Sequence, residues 1–154
     1  MELNGKKIII IGERDGIQGA AIAECVKSAG GEPVLVQTQC FVWTAAGAID
    51  LDDQLAIKKL FEQNDKNDLV VILGCPNADS AELFAETVIN GDPAWAGPLA
   101  GVAMGLSVFH ILEPEIKSQI TPELQNKHLA VSEIALDTEK IIETMNKVRR
   151  IKVN

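Results

Sequence analysis

The stretch Lys6-Lys7-Ile8-Ile9-Ile10-Ile11-Gly12-Glu13-Arg14-Asp15-Gly16-Ile17-Gln18-Gly19 decides how the fold is read. Consecutive isoleucines closed by a glycine predict a short strand buried on both faces, the habit of parallel sheets. A polar turn, Glu13 to Gly16, follows. The apolar positions then change period: Ile22, Cys25, Val26 and Ala29 fall at i, i+3, i+4 and i+7, one stripe of a helix over about residues 17–29. Gly30 and Gly31 stop it.

The same alternation continues outward. Pro33 to Thr38 reads as a second strand, and Gln39 to Ile49 as an irregular segment. A helix is predicted over 51–63, with Asp50 as its N-cap and Asp52 and Asp53 in the first turn, where negative charge suits the dipole. Asp68 to Gly74 is a third strand, Cys75-Pro76-Asn77 a loop, and Ser80 to Asn90 a helix. Gly91 to Gly105 carries four glycines and two prolines and reads as a long surface loop. Leu106 to Leu112 is a fourth strand. Thr121-Pro122-Glu123 starts a helix with proline at its first position, and Asp137 to Lys152 forms a terminal amphipathic helix. Strands alternating with helices imply βαβ units. The expectation is an α/β fold: one doubly wound, flavodoxin- or Rossmann-like, mostly parallel sheet with helices on both faces, as a single domain over residues 1–154.

Bulk properties narrow the function. Apolar residues make up 47% of the chain, enough for a core, and no apolar run approaches the ~20 residues of a membrane span. Nothing at the N-terminus resembles a signal peptide, so a cytoplasmic protein is expected. A formal net charge of −8 argues against nucleic acid as a partner. The basic group Lys147, Arg149, Arg150 and Lys152 reads as a solvated helix end rather than a docking patch. Three cysteines, Cys25, Cys40 and Cys75, form no structural disulfide framework, and with His110 and His128 isolated they form no metal site. Cys25, on the helix stripe, is expected to be a structural core thiol.

Chemistry in doubly wound sheets gathers beyond the carboxyl ends of the strands. Three loops lie there. Gly12 to Gly19 is glycine-rich, but its GxxxGxxG spacing matches neither the dinucleotide nor the Walker fingerprint, and Glu13 and Asp15 repel anions. Turn geometry and close packing explain it better. Cys75 before Pro76 is a reactive thiol or a small loop filler. The remaining loop reads Cys40-Phe41-Val42-Trp43-Thr44-Ala45-Ala46-Gly47-Ala48-Ile49-Asp50-Leu51.

This loop resembles the redox loop of component A of the glycine/sarcosine/betaine reductases, where Cys-x-x-selenocysteine precedes Thr-Ala-Ala-Gly-Ala. The resemblance extends to the opening Gly5 to Ile17, to Ala20 to Cys25, Glu86-Thr87 with Gly91-Asp92-Pro93, Ala96 to Val102, and Val108-Phe109-His110 with Glu113-Pro114-Glu115. It implies that Trp43 occupies the selenocysteine position and that Cys40 is its partner. Selenium as selenocysteine is then the sole special group, with no other cofactor and no metal. A UGA codon read as Trp, or a UGA-to-UGG change, accounts for the substitution; a native Trp in a surface loop is the alternative.

The resemblance further implies a carrier cycle. Component B delivers a carboxymethyl group to the selenol as a selenoether, component C takes the two-carbon unit and releases acetyl phosphate, and thioredoxin reduces the resulting Cys40–selenium bridge. Trp43, whose indole is no nucleophile, would leave the chain folded but inactive. The remaining readings are a non-catalytic flavodoxin-like module binding a flavin or nucleotide, and a dithiol oxidoreductase pairing Cys40 with Cys75.

Overall fold

The computed structural model describes residues 1–40 and 49–151. Four strands, β1 (Lys7–Glu13), β2 (Glu32–Gln39), β3 (Leu69–Gly74) and β4 (Ser107–His110), form one sheet in the order β2-β1-β3-β4. Every pairing is parallel. The chain winds outward from β1 to β2, crosses back to β3, and continues to β4. The expected doubly wound α/β topology is therefore present, with its switch point between β1 and β3.

Why β1 is central follows from its composition. Its residues are buried except for Lys7, so the strand needs cover on both faces. Ile9 and Ile11 face one core, packed with Ile57 of α2 (Leu51–Gln63), Phe84 and Val88 of α3 (Ala78–Asn90), and Ile141 and Met145 of the C-terminal helix Thr138–Ile151. Ile8 and Ile10 face the other core, packed with Ile22, Cys25 and Val26 of α1 (Gly19–Ser28) and with Ile116 and Leu129. The helical stripe of α1 thus buries as its spacing predicts. Edge strand β2 is less covered: Val36 is exposed, and only Gln39 of its residues is buried.

Between β4 and the C-terminal helix lie short segments: α4 (Pro114–Lys117), α5 (Pro122–Leu124), a π-turn over Gln125–Leu129 and α6 (Ala130–Ala135). The C-terminal helix is therefore α7. The helix start at Thr121-Pro122 is found, with proline at its first position.

Several boundaries differ from expectation for local reasons. α3 starts at Ala78, not Ser80, because the Asn77 side chain accepts from Ser80 N at 2.9 Å and caps the helix. β4 stops at His110, although Ile111 and Leu112 are also buried. There the Glu113 carboxylate accepts from His110 N at 2.7 Å and turns the chain. Arg149 is no solvated helix end. It forms a two-pronged ion pair with Glu113, gives a further bond to Val108 O at 3.2 Å, and stacks on Phe109 with 4.5 Å to the ring centre. The helical spacing of Arg149 carried no sign of this partner on a distant strand.

Candidate functional site

The carboxyl ends of β1, β2, β3 and β4 present Glu13, Gln39 with Cys40, Cys75 and His110 along one edge. Each end is built differently.

At the end of β1 the glycine-rich loop interlocks with the sheet. A Cβ on Gly16 would lie 2.1 Å from Gly74 O, and one on Gly12 would lie 2.3 Å from Gly19 N. The loop amides serve the fold: Ile17 N donates to Gly74 O at 2.9 Å, Gly16 N to Glu13 O at 3.1 Å, and Gly19 N to Thr38 Oγ1 at 2.9 Å. This supports the packing reading of GxxxGxxG, since those donors are no longer available to an anion.

At the end of β2, Gln39 is 3% exposed and works as a clamp. Its backbone O accepts from Arg14 N at 2.9 Å, its Nε2 donates to the Asp53 carboxylate, and its Oε1 accepts from Asp50 N at 3.3 Å. Gln39 precedes the Cys40 loop and Asp50 follows it, so one side chain joins the two ends. Asp50 caps α2 as expected, accepting from Asp52 N at 2.9 Å. The fully buried Gln54 adds a second tie: Nε2 donates to Ile49 O at 2.9 Å, while Oε1 accepts from Leu99 N at 3.1 Å. Burial pushes the Asp53 carboxyl upward, and the bonds from Gln39 and Gln37 oppose that. Cys40 follows directly after β2 and is half-buried. Trp43 lies outside the described residues.

At the end of β3, Cys75 is fully buried. Burial, with Glu13 adding its charge, raises its thiol well above the ordinary range. The Cys75 carbonyl accepts from His110 Nε2 at 2.9 Å, while His110 Nδ1 accepts from Leu112 N at 3.2 Å. The bonding assigns the Nε2–H tautomer. Burial brings His110 down to about 4, so it is neutral near pH 7. The histidine read as isolated is a buried brace between two strand ends. Cys25 has 0% exposure, and burial followed by the charge of Glu24 pushes its thiol to about 11, in keeping with a core role.

Glu13 escaped the sequence reading, where it served only as a turn residue that repels anions. It is 3% exposed, and its Oε2 has no hydrogen-bond partner among the described residues. Burial first, then the nearby Asp15, pushes its carboxyl to about 7. The available signal was position: a carboxylate that directly ends an all-apolar central strand has few ways to reach water.

Residues 3–149 match the family model described as "Glycine reductase complex selenoprotein A". The chain belongs to that selenoprotein A family. Among its relatives is "Glycine/sarcosine/betaine reductase complex component A" of Symbiobacterium thermophilum, 54% identical over 149 residues, covering 97% of this chain and 96% of the relative. The protein of the same description from Carboxydothermus hydrogenoformans is 51% identical, covering 96% and 95%. That from Gottschalkia purinilytica is 50% identical, covering 97% and 99%. No solved structure matches the chain. The matched span, residues 3–149, takes in all four strand ends. Among the described residues no helix is long and apolar enough to cross a membrane, and no acidic, His and Cys cluster could hold a metal.

Proposed function

We propose that this chain is the carboxymethyl and redox carrier of a glycine, sarcosine or betaine reductase, a single cytoplasmic domain working with components B and C and thioredoxin. Position 43, written Trp, is the selenocysteine position, and Cys40 is its resolving partner. The observation that carries the reading is the Cys40-x-x-43 spacing ahead of Thr44-Ala45-Ala46-Gly47-Ala48, in a chain of this family whose Cys40 follows directly on a strand end.

The chemistry suits that place. A selenol ionises readily and leaves readily, and a thiol three positions away closes a bridge to it, as paired cysteines do. The Cys40 thiolate attacks selenium bearing the carboxymethyl group; a sulfur–selenium bond forms and the selenium–carbon bond breaks. The bonding pair leaves with the carbon unit, which is thereby reduced and handed to component C. A protein dithiol then supplies two electrons and two protons to reopen the bridge. Trp43 offers neither nucleophile nor leaving group, so the chain as written is inactive.

Acetyl phosphate formation with components B and C, thioredoxin and inorganic phosphate tests the reading. The Trp43 chain is expected to give none, Trp43→Sec to restore turnover, and Trp43→Cys to give much less. Normal turnover by the Trp43 chain would overturn the assignment of position 43.

A further inference from the structure

We propose that Trp95, Leu51 and Leu55 form a docking patch that seats this chain on a partner protein, one offering an apolar cleft rimmed by lysine and arginine. The inference rests on the carrier reading above, which requires the chain to visit other proteins.

Trp95 is the anchor. It is 76% exposed, although tryptophan is on average highly buried. Among the described residues it alone, apart from glycines, has a positive φ, +54°. A bulky side chain in that region is strained, and such strain gathers at functional sites. The neighbouring chain holds it there. Trp95 N donates to Asp92 O at 3.1 Å and Ala96 N to Asp92 Oδ2 at 2.9 Å, with Asp92 itself buried. The indole lies against Gly101, where a Cβ would come within 2.9 Å of ring atom Cζ3. The absence of a side chain at 101 gives the ring a flat shelf, so the fold presents the indole instead of enclosing it.

The same short turn reaches α2. Ala100 N donates to Gly97 O and Val102 N to Leu99 O, each at 3.1 Å, so Gly97 and Gly101 belong to two consecutive turns. A Cβ on Gly97 would lie 2.5 Å from Leu51 Cδ2, and Leu99 N donates to Gln54 Oε1 at 3.1 Å. Leu51 and Leu55, four residues apart on one side of α2, are 44% and 41% exposed. Leu51 directly follows Asp50, whose amide is held by Gln39, the residue before Cys40. The patch therefore adjoins the base of the candidate redox site, where a carrier meets its partners.

Charge selects the occupant. No Lys or Arg falls between Lys66 and Lys117, a span that takes in all of α3 and residues 91–105. The first two turns of α2 have none either, and Asp50 and Asp52, which flank Leu51, are both exposed. A second copy of the chain would bring the same acids against these and be repelled. An apolar cleft ringed by Lys and Arg complements both the tryptophan and the negative field around it.

The test measures binding of the chain as written to component B, component C and thioredoxin in turn, by surface plasmon resonance at two ionic strengths. At least one is expected to bind, and to bind more weakly at high salt. Trp95→Ala should weaken that complex at least about tenfold, as loss of an anchoring tryptophan does. Trp95→Gly should do the same while keeping the melting temperature, because glycine suits the positive φ; this separates docking from folding. Asp52→Lys should slow association. Ile134→Ser, which removes a highly exposed apolar side chain on α6, should change nothing.

Unchanged affinity in Trp95→Ala and Trp95→Gly, or an equal loss in Ile134→Ser, would overturn the proposal and leave the carrier reading intact. Binding to none of the three proteins would sink that reading and the proposal together. Sedimentation showing a dimer that Trp95→Ala dissociates would give the patch to a second copy and overturn the proposal alone.

Discussion

Two cysteines follow strand ends in this molecule, and they differ in nearly every physical respect. Cys75 follows the central strand β3. It is sealed between the helices that cover its face and the loop after β1, its carbonyl is held by His110, and burial keeps its thiol neutral. Cys40 follows the edge strand β2, half-buried, where Gln39, Asp53 and Gln54 tie the chain on either side of the loop. Position in the sheet, rather than position after a strand, separates an inert thiol from an accessible one. A central end is enclosed by loops on both sides. An edge end has one neighbour and leaves room for a loop that must meet other proteins.

The largest expected effect follows directly. Native-state labelling with a thiol reagent should modify Cys40 at least about 1000-fold faster than Cys75 or Cys25, whose labelling requires an opening of several kcal/mol. Comparable rates at Cys40 and Cys75 would erase the distinction and favour a dithiol pairing of the two.

The rigidity of the central end can be broken by one methyl group. A Cβ on Gly74 would lie 2.3 Å from Ile17 O and 2.7 Å from Ile22 Cδ1. Gly74→Ala should destabilise the fold by about 3 kcal/mol or more, read by denaturant unfolding. A loss below about 1 kcal/mol would mean that the two loops yield easily.

Acidity separates the ends more gently. Glu13 has a folded pKa raised to about 7, so the folded state holds its proton longer and stability falls as pH rises from about 4.5 to 7. His110, lowered to about 4, does the opposite: its stability contribution is present above about 6.5 and is lost as pH falls toward 4. The two slopes, each up to ~1.4 kcal/mol per pH unit, oppose each other between about pH 4.5 and 6.5. Wild-type stability should be nearly flat in that window. Glu13→Gln should uncover a rise with pH, by about 2 kcal/mol across it. A flat profile in Glu13→Gln would show that His110 is not neutral in the fold.

The smallest effect concerns the clamp. Gln39→Ala removes two side-chain bonds at the loop base, and a global loss of about 1–2 kcal/mol is expected in thermal unfolding. Cys40 labelling should also speed up. Slower labelling would mean that Gln39 does not restrain the loop.

Much of this was legible in the chain. Ile8 to Ile11, the stripe from Ile22 to Ala29 and the Asp50 cap each encode their structure within a few residues, and all are found. What was illegible depends on residues far apart. The bond from Arg149 to Glu113 spans 36 positions, and that from His110 to the Cys75 carbonyl spans 35. No local pattern announces either. Helix α4 was missed because Pro114 to Lys117 is a single turn, too short for periodicity to register. Of the candidate site, Cys40 was located by its motif. Glu13 was not, because its burial comes from how the loops close over the switch point.

The pairing of Cys40 with position 43 is tested most directly by mass mapping of mildly oxidised Trp43→Sec protein after proteolysis. A single internal sulfur–selenium bridge between Cys40 and position 43 is expected, with Cys25 and Cys75 recovered as free thiols and the bridge removed by thioredoxin. A bridge to Cys75 instead, or selenium left unbridged while Cys40 stays reduced, would contradict it.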